Sequence, residues 1–462
     1  MADLRLDERG EWLIDRMVET HSLVLKTVGG DRAGEAAINR YLGNDRVDPA
    51  DILAPAIERT AKAAEGRRVV VAQDTTEVNF AGRARRRKGL GPGGDGVSPG
   101  FFIHPQIVIE ADEEAVIGIA GAEIWTRETA RTGDHHKRPA EDKESRRWLA
   151  GVRAAADALP GAVQIVGVGD RENDIYGFYV GRPDHVDFVV RAAQDRALED
   201  GTCLKQTAAD WPGLVCCNVV VAARPASAKG GPRAARIAHV EVRAGRITLL
   251  RPKSASRDLP VRITLGFVEV VEVGAPDGVE PLVWRLLTTL SVATAEDVLE
   301  VVRLYRLRWR IEEVFRVLKK DGLDLEASQV TEAARLFNLA ACGLVASVRI
   351  LQLVDARDGS PRPATDVIEA QAIPAVAAIG AELEGGTVRQ QNRWDEGSLA
   401  WLAWIVARLG GWNCYYRPPG PKTMSNGWHR LAERLAGFSS AERYRHAMLT
   451  HRQALAGEPE DV

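Results

Sequence analysis

Apolar residues recur at helical spacing in the first stretch of the chain, in EWLIDRMVETHSLVLKTV and again in ADILAPAIERTAKAA, with a turn signal at LGNDRVDP between them. The pattern predicts a small helical head over residues 1–66. From Arg67 the period changes: RRVVVAQD reads as a strand, a Gly-rich loop follows at GLGPGGDGVSPG, and FFIHPQIVIEADEEAVIGIAGAEIW reads as a strand pair. A helix in EDKESRRWLAGVRAAADAL then leads into the strand VQIVGVGD. Strands, then helix, then strand suit a mixed α/β sheet. Residues 196–281 carry short alternating runs, LVCCNVVVAA, ARIAHVEVRAGRITLLRP and VRITLGFVEVVEVG, separated by Gly and Pro, and read as an all-β insertion. Helix returns in ATAEDVLEVVRLYRLRWRIEEVFRVLKK, with Thr294 placed to cap its start. After a polar stretch at ARDGSPRP, a last helical region contains SLAWLAWIVARLGGW, a candidate interaction module. The segments are therefore 1–66, 67–195, 196–281, 282–350 and 351–462.

A chain of 462 residues exceeds one ordinary domain, and about three or four are expected. The opening residues, MADLRLDERGEW, carry charges where a secretory signal needs an apolar core. No uninterrupted apolar run is expected to cross a bilayer, which predicts a cytoplasmic protein. Cys203, Cys216, Cys217, Cys342 and Cys414 show no C-x-x-C spacing and are expected to be reduced and structural.

A formal charge of −3 does not announce a nucleic-acid binder, but basic residues cluster locally. Arg83, Arg85, Arg86, Arg87 and Lys88 stand almost together. Arg303, Arg306, Arg308, Arg310, Arg316, Lys319 and Lys320 fall within eighteen positions that contain two acids. Either run alone reads as a solvated face.

Candidate chemistry sits where elements end. Asp74 follows the apolar run Val69 to Ala72 inside Gln73-Asp74-Thr75-Thr76, a carboxylate at a strand end with hydroxyl neighbours. Such an Asp often caps a turn instead. The arrangement recurs where Val163 to Gly169 runs into Asp170 and Arg171-Glu172-Asn173-Asp174. Two acids after two hydrophobic strands of one sheet suit a shared Mg²⁺, which takes oxygen ligands and keeps several waters. In LYRLRWRIEEVFRVLKK, at about 100° per residue, Tyr305, Arg308, Glu312 and Lys319 share roughly a 60° arc of one uninterrupted helix. Leu304, Leu307, Ile311, Val314 and Leu318 form the neighbouring apolar face. A charged flank laced by Glu312 to Arg308 or Arg316 is the plainer reading of that row.

These residues join further motifs: QDTT around Asp74, GFFIHP at Gly100 to Pro105, DKESRRWL at Asp142 to Leu149, DRENDIY after Asp170, FVVR ending at Arg191 and WRLLTT beginning at Trp284. In this combination the sequence resembles the DDE transposases of the insertion-sequence four family, whose Tyr-Arg-Glu-Lys signature corresponds here to Tyr305, Arg308, Glu312 and Lys319. SLAWLAWIVARLGGW and GWHRLAERLAGF are similar to the family's dimerisation segment, and the resemblance runs from Ile38 to Phe438.

The resemblance implies an RNase H-like catalytic core in two parts, 67–195 and 282–350, interrupted by the β-rich insertion and flanked by an end-DNA-binding helical head and a mainly helical dimerisation region. It implies that Asp74, Asp170 and Glu312 approach closely enough to hold two Mg²⁺ or Mn²⁺ ions about 4 Å apart. Tyr305, Arg308, Lys319 and Arg191 would bind DNA phosphates. Trp284 would stack a flipped base, with Trp309 or Tyr176 in reserve, unless it is an ordinary core tryptophan. The implied partners are double-stranded DNA, both transposon ends and target, and a second copy of the chain when DNA is bound. Nicking, hairpin formation, hairpin opening and strand transfer are the implied reactions. The head carries nine basic and thirteen acidic residues through Glu65, so any DNA-binding face there is a local patch. The alternatives are a catalytically idle DNA-binding inhibitor or domesticated transposase, and a junction-cutting nuclease without strand transfer.

Overall fold

The computed structural model describes residues 4–20, 22–80, 87–128, 146–221, 223, 234–319, 323–435 and 437. Arg83, Arg85, Arg86, Lys320, the first part of DKESRRWL and the chain from 438 onward, the last part of the expected dimerisation region, lie outside the described residues.

One mixed sheet of eleven strands runs through the protein. Inside it runs β1 (Arg68–Gln73), a Val/Ala run buried on both faces, as expected of a strand covered by helices on either side. β1 pairs antiparallel with β4 (Pro99–Glu110), which also carries β5 (Val116–Trp125) and, beside its first half, β2 (Thr76–Asn79) and β3 (Gly91–Pro92). On its other edge β1 pairs parallel with β6 (Gln164–Gly169), and β6 parallel with β7 (Val186–Arg191).

Side-chain alternation sorts these strands onto two faces. Val70, Ala72, Ile107, Val166 and Val168 meet the helices α8 (Ala295–Leu307), α9 (Arg310–Lys319) and α10 (Ala333–Ala356) in one core. Val71, Val108 and Ile165 meet Trp148 and Val152 of α5 (Arg146–Ala158) and Phe178 of α6 (Tyr176–Gly181) in the other.

The strands of the expected β-rich insertion extend the same sheet. β8 (Val215–Val221), β9 (Arg236–Leu250), β10 (Arg262–Glu272) and β11 (Val283–Thr288) form an antiparallel meander that continues the same sheet, and a short helix, α7 (Leu204–Ala209), precedes it. The join is β11 on β7, from Leu286↔Arg191 to Thr288↔Val189. This pairing completes the edge that β7 would otherwise leave bare.

The helical head is also continuous with the rest. α1 (Leu4–Thr20), α2 (Leu25–Gly29), α3 (Arg32–Leu42) and α4 (Pro49–Ala64) share the α10 core through Leu13, Met17, Ile38 and Leu53. Arg349 of α10 pairs with Glu11 and Asp15, and Asn338 donates to the carbonyls of Leu42 and Val47. α4 lies against β5, where Gly118 makes room for Thr60: a Cβ there would stand 1.9 Å from Thr60 Oγ1.

α10 corrects the expectation about bilayer-length runs. By length and composition it could cross a membrane, with a window hydropathy of 1.7, but 89% of that window is buried inside the protein. It is the core helix on which α1, α4, α9 and β5 pack. Beyond it come α11 (Ile373–Leu383), α12 (Leu399–Leu409), N-capped by Ser398, and a helix α13 over residues 421–435. The five cysteines are unpaired.

Candidate active site

The parallel register of β1 and β6 runs from Arg68↔Gln164 to Ala72↔Val168, so two residues further on each strand Asp74 and Asp170 emerge side by side. Neighbouring strands lie about 5 Å apart. Alternation places both side chains on the face of Ala72 and Val168, the face that α8 and α9 cover. The helix carrying Glu312 therefore meets the two strand ends from the front.

That helix is not the uninterrupted one that the spacing predicts. Thr294 and Asp297 form a reciprocal capping box at the start of α8, as the sequence suggests for Thr294. Between Leu307 and Arg310 the winding tightens: the amides of Arg308, Ile311 and Glu312 bond to the carbonyls of Tyr305, Arg308 and Trp309, each three residues back. No Pro or Gly marks the break. Long-range ion pairs accompany it, with Arg308 reaching Asp74 of β1's end at 3.1 Å and Arg310 reaching Asp355 of α10. The common 60° arc is lost, but most of its members still converge.

Asp74 accepts from the amide of Thr75 through Oδ1 (2.7 Å) and from Arg308 through Oδ2. Its pKa is nevertheless pushed up to about 7, first by burial and then by the charge of Asp170, against the pull of Arg308, with Glu312 raising it further. Asp170 caps the turn Arg171–Asn173, accepting from the amide of Glu172 at 2.8 Å. Glu312 is 40% exposed at its side chain and lies 3.9 Å from Arg308.

Tyr305 is buried behind this group. Burial raises its pKa while Arg308 and Arg191 lower it, which leaves a protonated hydroxyl among cations. Arg191 donates to the carbonyl of Val283 (2.8 Å) and interacts with Tyr305. The structure thus gathers Asp74, Asp170, Glu312, Tyr305, Arg308 and Arg191. Lys319 is turned toward β2, donating to the carbonyl of Glu77 and pairing with Glu326 at 3.2 Å.

Trp284 is half-buried and packs edge-to-face on Tyr305, with ring centroids 5.3 Å apart. Tyr176 is buried and donates to the carbonyl of Pro260. The open indole belongs to Trp309, which is 55% exposed at the helix break, between Arg308 and Glu312. Its position in the chain already put it beside the signature and, at helical spacing, on the side away from the apolar face of Leu304, Leu307, Ile311, Val314 and Leu318. Asp174, another residue given no role by sequence, is a buried anchor: it accepts from Tyr179 Oη, the amides of Ala193 and Gln194, and Arg196.

Among the described residues no three Asp, Glu, His or Cys side chains form a ready group for a metal ion. Arg308 contacts both Asp74 and Glu312. Three like charges without a counter-ion repel, and a guanidinium partly offsets them. The donor set still fits a divalent cation, since it consists of hard carboxylate oxygens. Asp74's pKa is held up to about 7 chiefly by burial, and the charge of Asp170 raises it further against the pull of Arg308. Residues 180–348 match the family model described as a transposase DDE domain, a segment that contains Glu312, Tyr305, Arg308 and Arg191, and the match supports a DDE transposase acting on DNA.

Proposed function

We propose that the chain is a cut-and-paste DNA transposase of the insertion-sequence four type, a divalent-metal-dependent endonuclease and strand-transferase that uses Asp74, Asp170 and Glu312. The observation that carries this reading is the β1–β6 register, which delivers two aspartates side by side under the helix that bears Glu312. The strand order β5-β4-β1-β6-β7, three antiparallel and then two parallel, supports an RNase H-like core.

Two Mg²⁺ ions, for which Mn²⁺ substitutes, supply the activation of an attacking oxygen and the stabilisation of a leaving one. The protein's own groups do the rest. Once Asp74 is otherwise neutralised, Arg308 is released to donate to a phosphate oxygen, as a charged fork does well. Tyr305 and Arg191 present a hydroxyl and a second guanidinium behind it. Lys319, paired with Glu326, reaches DNA only by exchanging that partner. Water nicks one strand, the freed 3'-hydroxyl attacks the opposite strand to close a hairpin, water reopens it, and the 3'-hydroxyls then attack target DNA. A base displaced at the hairpin stacks on Trp284 where its face is open, or on the more exposed Trp309. The complex is a homodimer that holds two transposon ends, in the cytoplasm on the nucleoid.

The test is to incubate the purified protein with linear DNA bearing its element's ends and Mg²⁺. Nicks followed by hairpins are expected from the native chain and neither from Glu312→Ala. Strong nicking by Glu312→Ala would overturn the assignment.

A further inference from the structure

The strand end that carries Asp74 is gripped from behind by a polar network that the reaction does not consume. By the β1–β4 register, Gln73 lies opposite Gln106, and two positions further on Thr75 comes opposite His104. Gln73, Thr75, His104 and Gln106 all belong to the α5 side of the sheet, the face opposite the one to which Asp74 is directed. His104 is buried there, edge-on to Trp148 with centroids 4.9 Å apart. Its Nδ1 is 2.9 Å from Thr75 Oγ1 and its Nε2 is 3.3 Å from Gln73 Oε1.

One tautomer satisfies both contacts. Nε2–H donates to the Gln73 carboxamide oxygen, and Nδ1 accepts from the Thr75 hydroxyl. Burial, with Arg147 adding to it, lowers the imidazole's pKa to about 3, which keeps this neutral form in place at any working pH. Space for the network is built into α5 at Gly151, where a Cβ would stand 2.3 Å from Gln73 Oε1 and 2.6 Å from Gln106 Nε2. Gln73 Nε2 is buried with no hydrogen-bond partner, so the network is not tuned for stability alone.

We infer that His104 is a positioning residue for the candidate metal site: by bridging Gln73 and Thr75, the residues on either side of Asp74, it fixes the direction in which that carboxylate presents itself. This rests on the reading of Asp74 as a metal-binding carboxylate. Outer groups that orient a ligand typically change metal affinity 10- to 100-fold when removed.

The experiment measures Mn²⁺ binding by the intact chain without DNA, from the paramagnetic resonance signal of free Mn²⁺. The proteins are the native chain, Asp74→Ala, His104→Phe, His104→Asn, Thr75→Val and His104→Phe/Thr75→Val, with a melting temperature for each. His104→Phe and Thr75→Val should each weaken binding about tenfold or more. The double variant should be no worse than the weaker single, because both remove one bridge. His104→Asn, whose Oδ1 can take the place of Nδ1 toward Thr75, should recover most of the loss. Nitrogen-15 resonance should show Nε2 protonated and Nδ1 bare, unchanged from acid to neutral pH. If Asp74→Ala loses Mn²⁺ and Thr75→Val and His104→Phe do not, the inference falls while the Asp74 reading stands. If Asp74→Ala binds as the native chain does, that reading falls and takes the inference with it. A lowered melting temperature in His104→Phe with unchanged Mn²⁺ affinity makes the residue structural only. Should His104→Phe fail to fold, Thr75→Val, whose side chain is only partly buried, decides the matter alone.

Discussion

Asp74 and Asp170 end neighbouring parallel strands and are held in opposite ways. Behind Asp74 stands a neutral network, His104 between Gln73 and Thr75, and the carboxylate itself depends on a cation from outside its strand, Arg308. Beside Asp170 the support is ionic and self-contained. Four residues on, Asp174 pairs with Arg196 at 2.5 Å, both side chains almost wholly buried, and also takes the amides of Ala193 and Gln194 just past β7. Asp170 adds its own hydrogen bond to the turn that it caps. One strand end is braced by an ion pair of its own; at the other, burial and the charge of Asp170 push the carboxyl's pKa up to about 7. The difference shows which of the two is built to respond when a cation arrives.

The largest effects test whether the two ends serve one site. Replacing Asp74 or Asp170 with Ala should abolish nicking, hairpin formation and strand transfer alike while end-binding survives, as read by gel assays on one preparation. Retention of any one step in only one of the two variants would separate them.

Next comes stability. Asp174→Ala leaves Arg196 buried without its charge partner and should cost about 3–5 kcal/mol in chemical denaturation. His104→Asn on the other strand end keeps a hydrogen-bonding group in place and should cost less. Equal losses would erase the contrast between ionic and neutral support.

The third effect concerns protons. Asp74's pKa in the fold, about 7, lies above its ordinary value of 3.8, so between those limits the folded chain holds a proton that the unfolded chain has released. From this group stability is greatest in acid and declines as pH rises toward 7, and Asp74→Asn should flatten that slope. A bound metal must displace the same proton. Mn²⁺ affinity should therefore rise up to about tenfold per pH unit below about 7 and level off above it, with proton release visible in calorimetry across buffers of different ionisation heat. Affinity independent of pH in Asp74's range would contradict the assignment.

The smallest effect lies at the rim that both ends share. Trp309→Ala removes an open indole and should leave stability within about 0.5 kcal/mol while reducing hairpin yield, since base stacking contributes about 1–3 kcal/mol. Trp284→Ala also strips a ring from Tyr305 and should lower both hairpin yield and melting temperature. A normal hairpin yield from Trp309→Ala assigns the stacking role to Trp284 alone.

Much of this architecture is legible from local pattern. Val69 to Ala72 and Val163 to Gly169 announce strands because apolar side chains must be buried on both faces, and the Thr294 cap is written in four residues. The strand-end position of Asp74 and Asp170 follows directly. What escapes the sequence is set by partners far along the chain. The break at Arg308 contains no helix breaker and coincides with an ion pair to a residue 234 positions away. The sequence separates the strands of 196–281 from WRLLTT in the core, because nothing in WRLLTT reveals that it pairs both with them and with FVVR. His104 sits at an inward position of a strand buried along almost its whole length, and only the register shows that it faces Thr75.

The three pairs that join β11 to β7 have a mechanical consequence. They lie at the last residues of β7, and Arg191 is tied there three ways: it is paired in register with Leu286, it donates to Val283, and its neighbour Ala192 donates to Arg285. The meander is a blade whose root is the residue that sits behind Tyr305. A force applied to the blade along its strands loads those few hydrogen bonds in shear, so that they resist together instead of opening one at a time, and Arg191 moves only when the root as a whole shifts. Shortening the blade at its outer strands, β8 and β9, leaves that root intact, whereas cutting into β11 removes the lever's fulcrum.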